Sequence, residues 1–292
     1  MRTGPVVGLL VQAVLLAMLA GTVGLGAAGW LAGLGYGMIL CALLSRGLTR
    51  SGARGLSPAD RVTLGRAILA GGVTALAADS FDRPAPVALM VTLTAVALAL
   101  DAVDGYTARR TGTTSELGAR FDMEVDSFLV LVLCVYVAPS AGGWVLAIGG
   151  MRYAFVAASW VLPWMRGSLP PRYWRKVVAA IQGVALTVAM AEVLAGPLTV
   201  VVLVLSLALL VESFGRDVRW LWTTRTTRRT TVEETPARPS RVEIRAHAGL
   251  AAHRGIEGPV VRRGGPARET PGGPARHEPP RVPAARNGIV RV

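Results

Sequence analysis

Four aspartates stand at fixed offsets between two apolar runs of this chain. Asp101 and Asp104 are three residues apart, and Asp122 and Asp126 are four residues apart. If both flanking segments are helical, each pair lies on one helix face, about one turn apart. The polar linker over residues 110–117 suits a tight turn between two antiparallel helices. Such a hairpin would bring all four carboxylates together near one membrane surface.

Clustered carboxylates at the ends of membrane-length apolar runs indicate a functional site, because they are costly unless they are paired. Like charges raise each other's pKa, so four of them cannot all stay ionised unaided. A hard divalent cation relieves this repulsion, and Mg²⁺ typically binds through a few carboxylates together with substrate phosphates. The aspartate cluster therefore predicts a metal site and, with it, a diphosphate substrate.

Small and basic residues lie between the aspartates. Gly105 is four residues after Asp101, and Ala108 is four residues after Asp104. Small side chains at these positions would let a flat ligand approach the helix backbone beside the metal. Arg109 can offer a planar fork of donors to a phosphate.

The spacing D-x2-D-G-x2-A-R-x8-G-x3-D-x3-D resembles the signature of the CDP-alcohol phosphotransferase family. All eight fixed positions of that pattern are present, within 26 residues. The resemblance implies an integral membrane enzyme with six core helices. It implies that the enzyme moves a substituted phosphate from a CDP-linked donor onto an alcohol and releases CMP.

The resemblance also implies a role for each matched residue. The aspartates that mainly hold Mg²⁺ or Mn²⁺ would be Asp101, Asp104 and Asp122. Asp126 would be the general base and would also help to hold the metal. The residues that serve the CDP moiety would be Gly105, Ala108, Arg109 and Gly118.

The first core helix has a clear start. Ser57 is a good N-cap, Pro58 is favoured at the first helical position, and Asp60 completes an approximate capping box. Thr63 and Arg66 follow three residues apart, and the family's first core helix often carries a similar pair beside the nucleotide. An arginine about two turns into a membrane helix needs a partner. We expect Arg66 to face the donor phosphate; snorkelling to the interface is the alternative.

Candidates for the acceptor site lie further along the chain. Arg152 and Tyr153 fall near the middle of a predicted span. Arg152 is the first candidate, because it could bind a phosphate on the acceptor or compensate the aspartate cluster. A structural pair with a neighbouring helix is the other interpretation. Lys176 and Gln182, in the next span, are weaker candidates.

Composition places the chain among multispan membrane proteins. It has 292 residues, of which 52% are hydrophobic, and its mean hydropathy is +0.48. That is too apolar for an ordinary soluble domain. All three histidines lie after residue 240, so the membrane part has no histidine base and a carboxylate is the expected proton acceptor.

The predicted architecture is an all-α integral membrane protein with four parts. Residues 1–45 form an N-terminal extension of two transmembrane helices, although the run at 5–20 also has the features of a signal peptide. Residues 46–57 form a cytoplasmic linker. The six-helix catalytic core covers residues 58–222. Residues 223–292 form a basic tail, rich in Arg and Pro, that we expect to be disordered. The core spans are expected at about 58–78, 87–108, 119–138, 143–164, 176–194 and 198–214.

Charge placement predicts the orientation. Alternate loops are rich in arginine, and the formal net charge of the chain is +13. The positive-inside rule therefore puts the aspartate cluster and the C-terminus in the cytoplasm, in a plasma membrane protein with eight spans. The tail could lie against anionic lipid. It carries no nucleic-acid-binding motif, so no nucleic acid partner is predicted.

The expected substrates are a CDP-linked lipid such as CDP-diacylglycerol and a small alcohol or alcohol phosphate. Members of the family often form homodimers, so the resemblance allows one here. Two other functions use acidic residues in membranes. An aspartate-rich prenyltransferase carries two such motifs far apart, whereas here one segment holds all four aspartates. A cation-coupled transporter predicts acidic residues near mid-bilayer and internal repeats, and the sequence shows neither.

Overall fold

The computed structural model describes residues 3–51, 55–111, 116–167 and 173–233. Within these ranges the secondary structure is helical, without strands, as predicted. The eight α-helices of the described residues are α1 Thr3–Val23, α2 Ala27–Arg50, α3 Pro58–Asp79, α4 Val87–Thr111, α5 Glu116–Ala141, α6 Leu146–Val161, α7 Tyr173–Met190 and α8 Gly196–Glu233. Short 3-10 helices, Gly143–Val145 and Pro163–Arg166, precede and follow α6.

The start of α3 confirms the predicted capping box. The Asp60 backbone N–H donates to the Ser57 hydroxyl at 3.2 Å, and the Ser57 N–H donates to the Asp60 carboxylate at 2.9 Å. Pro58 occupies the first turn. Two backbone donors at the helix start are therefore satisfied by these two side chains.

Helix α3 lies at the centre of the bundle and packs against α1, α2, α4 and α5. Many of its residues are small and fully buried, among them Ala67, Ala70 and Ala75. Short side chains let neighbouring helix backbones approach closely, which is how helices associate inside a lipid bilayer. The sequence of α3 therefore suits a central helix with neighbours on several sides.

A continuous apolar core joins the other helices to α3. Each of five helices contributes a fully buried residue: Leu16 from α1, Met90 from α4, Leu133 from α5, Leu186 from α7 and Leu203 from α8. Large apolar side chains on the outer face of α1 are exposed, among them Leu10 and Met18. That distribution suits a bundle whose outside faces lipid.

Five described helices are long and apolar enough to cross a membrane: α1, α2, α3, α6 with its preceding 3-10 turn, and the first part of α8. The apolar part of α4, Val87–Asp101, is shorter. Helix α5 begins with charged residues, so its apolar part starts only after Asp126, and α7 has 18 residues with Arg175 and Lys176 near its start. The protein is a multi-pass membrane protein, and the eight-span count stays a prediction.

Several helices extend beyond their predicted ends. Helix α2 continues to Arg50, into the predicted linker. Helix α5 passes Pro139, predicted to be in a turn, and ends at Ala141, before Gly142 with its positive φ of 104°. Pro139 lies in the last turn of α5, where it has no backbone N–H to donate to the carbonyl four residues earlier.

Helix α8 continues past residue 222 to Glu233. One compact unit holds the described residues through Trp222, and a second begins at Thr223. The rest of the predicted tail lies outside the described residues.

Two charged residues, at the end of α3 and in the loop that follows it, contact the turn between α1 and α2. The Asp79 carboxylate accepts a hydrogen bond from the Gly26 N–H at 2.9 Å, and the Arg83 guanidinium donates to the Gly24 carbonyl. The two side chains therefore bind the turn between α1 and α2, whose backbone groups need partners.

The close contact of α5 with α6 gives a test of this packing. A Cβ atom on Gly149 would lie 2.6 Å from the Leu131 Cα, whereas a Cβ on Gly150 would meet nothing within 4 Å. We expect Gly149→Ala to lower the stability of the purified protein by about 1–3 kcal/mol, because overpacking shifts the backbone. Gly150→Ala is the matched control and should not destabilise. Thermal unfolding in detergent checks both; equal melting temperatures would contradict the described α5–α6 contact.

Candidate active site

Arg66 occupies the middle of the site. Its side chain is 1% exposed, and its guanidinium pairs with Asp101 of α4 and with Asp122 and Asp126 of α5. The Nη1 atom lies 2.9 Å from the Asp101 carboxylate, and the Nε–H donates to the Ala97 carbonyl at 3.2 Å. A buried cation requires such partners. Arg66 therefore joins α3 to α4 and α5 at the level of the aspartates, and it does not snorkel.

The three carboxylates around Arg66 form a compact cluster. Asp101, Asp122 and Asp126 each offer an oxygen atom, and these oxygens all lie within 4.8 Å of one another. Their side chains are 42%, 35% and 38% exposed, so the cluster opens toward solvent while the arginine behind it is closed off. Three negative charges face one positive charge. The hard oxygen ligands, the remaining negative charge and the open side fit a divalent cation.

The other predicted donor-site residues lie on the same helices. Thr63 is buried on α3 one turn before Arg66, and its hydroxyl donates to the Ala59 carbonyl at 3.3 Å. Gly118 is in the first turn of α5. The last turns of α4 carry Asp104, Gly105, Ala108 and Arg109, whose side chains lie outside the described part of the structure. The turn predicted between α4 and α5 also falls outside it, at residues 112–115.

Arg152 does not join the aspartate cluster through its described contacts. Its guanidinium pairs with Glu124 of α5. Glu124 stands two residues from Asp122 and from Asp126, so it projects from the opposite side of α5. This contact corresponds to the structural pair that the sequence analysis kept as the other interpretation. An acceptor role for Arg152 stays a prediction.

The remaining acceptor candidates lie on α7. The Gln182 amide donates to the Ser206 carbonyl at 2.9 Å and accepts from the Ser206 hydroxyl, so both its polar atoms bind α8. Gln182 is 2% exposed and has a clear packing role. Lys176 is exposed in the first turn of α7. An acceptor role for either residue stays a prediction.

Comparison with known proteins gives one decisive finding. The family model described as CDP-alcohol phosphatidyltransferase matches residues 56–211, just over half of the chain. The chain belongs to the CDP-alcohol phosphatidyltransferase family. The comparisons with curated proteins and with solved structures give no match. The matched region starts just before α3 and includes all three clustered aspartates and Arg66.

Family membership fixes the general chemistry. CDP-alcohol phosphatidyltransferases are transferases that move a phosphate-containing group from a CDP-alcohol to an acceptor, and they generally depend on a divalent metal. The half-buried triad Asp101, Asp122 and Asp126 agrees with that dependence. Membership favours this chemistry over the prenyltransferase and transporter alternatives.

Sequence reasoning identified the aspartates and Arg66 but missed some of their partners. The triple contact of Arg66 with the carboxylates was not predicted, although a lone arginine inside an apolar helix and nearby unpaired aspartates were both visible. Glu124 was also missed. Its position in a charged first half of α5 was a signal, but its pairing with Arg152 depends on how α5 and α6 are placed side by side.

Removing the buried guanidinium should make the protein depend on metal for stability. In Arg66→Met the three carboxylates lose their fixed cation, and lost charge-assisted hydrogen bonds cost about 1.5–3 kcal/mol each. In EDTA we expect Arg66→Met to have a lower melting temperature than the wild type. We expect Mn²⁺ to raise the melting temperature of Arg66→Met by more than it raises that of the wild type. Arg66→Lys should recover only part of the stability lost in Arg66→Met, because an ammonium group is a point charge without the planar fork of the guanidinium. A melting temperature for Arg66→Met equal to that of the wild type in EDTA would contradict the described ion pairs.

Proposed function

We propose that the protein transfers a phosphatidyl group from CDP-diacylglycerol to a small alcohol or alcohol phosphate and releases CMP. The observation that carries this proposal is the convergence of Asp101, Asp122 and Asp126 on one buried arginine inside a CDP-alcohol phosphatidyltransferase core. Diacylglycerol-linked donors are favoured because single-domain members of the family commonly use them.

The residues proposed to hold Mg²⁺ or Mn²⁺ are Asp101, Asp104 and Asp122, with help from Asp126. Bound metal would neutralise the donor's diphosphate and the charge that develops on the CMP leaving group. The clustered oxygens of three of these residues support the assignment. Gly105, Ala108, Arg109 and Gly118 are assigned to the CDP moiety, together with Thr63 on α3.

Asp126 is proposed as the general base. Its carboxylate takes the proton of the acceptor hydroxyl while the hydroxyl oxygen attacks the phosphorus that bears the lipid. The new P–O bond to the acceptor forms as the bond to CMP breaks, and CMP leaves with the electron pair. Asp126 stands one turn beyond Asp122 on the same helix face, so base and metal ligand are held together by α5.

Arg66 is proposed to serve the donor phosphates. Its guanidinium is always charged, and its N–H groups point at the three carboxylates beside which the diphosphate would be bound. Four groups on α4 and α5 hold the buried guanidinium in place. From behind the carboxylates, Arg66 would act on the diphosphate of a bound donor as a fixed positive charge, without contacting it directly.

The acceptor site is proposed to include Arg152, with Lys176 and Gln182 as weaker candidates. The Arg152 Nε atom is buried and has no hydrogen-bond partner among the described residues, so the side chain keeps a donor beyond its pair with Glu124. A phosphorylated alcohol, such as glycerol phosphate or inositol phosphate, would bind this N–H group.

The protein is proposed to lie in the plasma membrane with its active-site end and its C-terminus on the cytoplasmic side, where CDP-linked donors are available. A homodimer is compatible with this proposal.

If Asp126 is the general base, replacing one oxygen of its carboxylate should greatly lower the reaction rate. Asp126→Asn should lower CMP release from CDP-diacylglycerol by at least about 10²-fold, because proton transfer by a positioned base contributes 10²–10⁴-fold. Metal-dependent binding of CDP should remain detectable. Asp82→Asn, the same change in an exposed loop, is the control and should behave as the wild type. A near-normal rate in Asp126→Asn would remove Asp126 from the role of base.

The acceptor is found by offering alcohols one at a time to the purified protein with Mg²⁺ or Mn²⁺. The panel is glycerol 3-phosphate, inositol phosphate, inositol, serine and phosphatidylglycerol, and the readout is CMP release. If the acceptor carries a phosphate, Arg152→Gln should raise its KM about tenfold or more, since lost charge-assisted contacts cost about 1.5–3 kcal/mol. The donor KM should not change. An unchanged acceptor KM would mean that Arg152 only forms its structural ion pair with Glu124. Failure of the wild type to bind CDP with metal would overturn the proposed function.

A further inference from the structure

Helix α2 lies outside the region that the family model matches, residues 56–211, yet it packs on the helices of the active site. Its neighbours in the bundle are α1, α3 and α5. Helix α3 carries Arg66, and α5 carries Asp122 and Asp126. The contacts of α2 with these two helices therefore bear on the geometry of the site.

An apolar cluster joins α2 to the back of α3. Leu44 and Leu48 of α2 pack with Leu64 and Ile68 of α3, and all four are buried. Leu64 and Ile68 are one turn apart, and Arg66 stands two residues from each. Arg66 therefore projects from the opposite side of α3. Helix α2 packs on one side of α3 while the ion pairs form on the other.

The same cluster reaches the start of α5. Leu117 and Phe121 of α5 pack against it, and Phe121 is the residue before Asp122. A Cβ atom on Gly47 of α2 would lie 2.6 Å from the Leu117 Cδ1. The absence of a side chain at Gly47 thus leaves room for the Leu117 side chain, which packs against α2 five residues before Asp122.

Contacts nearer the start of α2 keep α2 and α5 in register. Tyr36 stacks on Phe128 of α5 with the ring centroids 4.8 Å apart, and Phe128 is two residues after Asp126. Gly47 and Tyr36 therefore meet α5 on both sides of the stretch from Asp122 to Asp126. At the other end of α2, the Gly26 N–H donates to the Asp79 carboxylate at 2.9 Å, where α3 ends.

We propose that α2 is a positioning element of the active site. By packing at once on the back of α3 and along α5, it sets the distance between Arg66 and the carboxylates of Asp122 and Asp126. Gly47 is the positioning residue on which this depends, because it leaves the space that the Leu117 side chain of α5 fills against α2. The N-terminal extension would then belong to the catalytic unit, rather than being an anchor attached to a self-sufficient core.

The proposal rests on the proposed function only for its assay, and it is tested with the full-length protein. A leucine at Gly47 would push against Leu117 and displace the start of α5. A displacement of about 1 Å in a catalytic group costs on the order of 10²-fold in rate. We expect Gly47→Leu to lower kcat by about that factor and to raise the Mn²⁺ concentration needed for half-maximal CDP binding. Gly35→Leu is the matched control, since a Cβ on Gly35 of α2 meets nothing within 4 Å, and it should behave as the wild type.

A second-site change separates displacement from simple loss of folded protein. Leu117→Ala removes the side chain that the new leucine meets, so Gly47→Leu with Leu117→Ala should recover most of the rate and the wild-type Mn²⁺ requirement. Partial misfolding would lower the amount of CDP bound at saturation without moving the Mn²⁺ requirement. That result, or wild-type behaviour of Gly47→Leu, would overturn the proposal. If the wild type and Gly35→Leu bind no CDP with Mn²⁺, the failure belongs to the proposed function.

Discussion

Arg66 is a buried cation, 1% exposed, that lies between carboxylates from two helices. A charge in such a position is stable only when partners surround it, and removing one partner of a buried pair is strongly destabilising. Helices α3, α4 and α5 must therefore meet at this level and in this rotation. The placement of the aspartates, and of everything they bind, follows from that requirement.

The apolar packing around α3 and α5 holds these helices in the arrangement that the ion pairs of Arg66 require. Helix α3 has small buried residues where its neighbours approach and large apolar ones, Leu64 and Ile68, on the side that α2 covers. One helix thus divides its faces between ion pairs and apolar packing. Since α5 is contacted by α2, α3, α6 and α7, the carboxylates that it carries are set on a helix with neighbours on several sides. Catalytic groups held by rigid helices are placed more accurately than groups on loops.

The charge balance of the cluster connects this packing to the chemistry of the family. Three carboxylates with one guanidinium keep an excess of negative charge on the open side of the site, which favours a divalent cation. The guanidinium behind them adds a second, fixed positive charge close to the same site. Two kinds of positive charge, one built into α3 and one taken from solution, suit a substrate whose reactive part is a diphosphate.

The helical class, the family, the aspartate cluster and the start of α3 could be predicted from the sequence, because they depend on local patterns. These patterns are apolar run length, fixed spacing and the Ser57–Asp60 capping box. Which side chains contact one another became clear from the packing of the helices. Arg66 pairs with three aspartates, Arg152 with Glu124, and Asp79 with the turn before α2. These partners are tens of residues apart in the chain. Their contacts depend on how helices are rotated and placed beside one another, and side-chain spacing within a single helix carries no information about its neighbours.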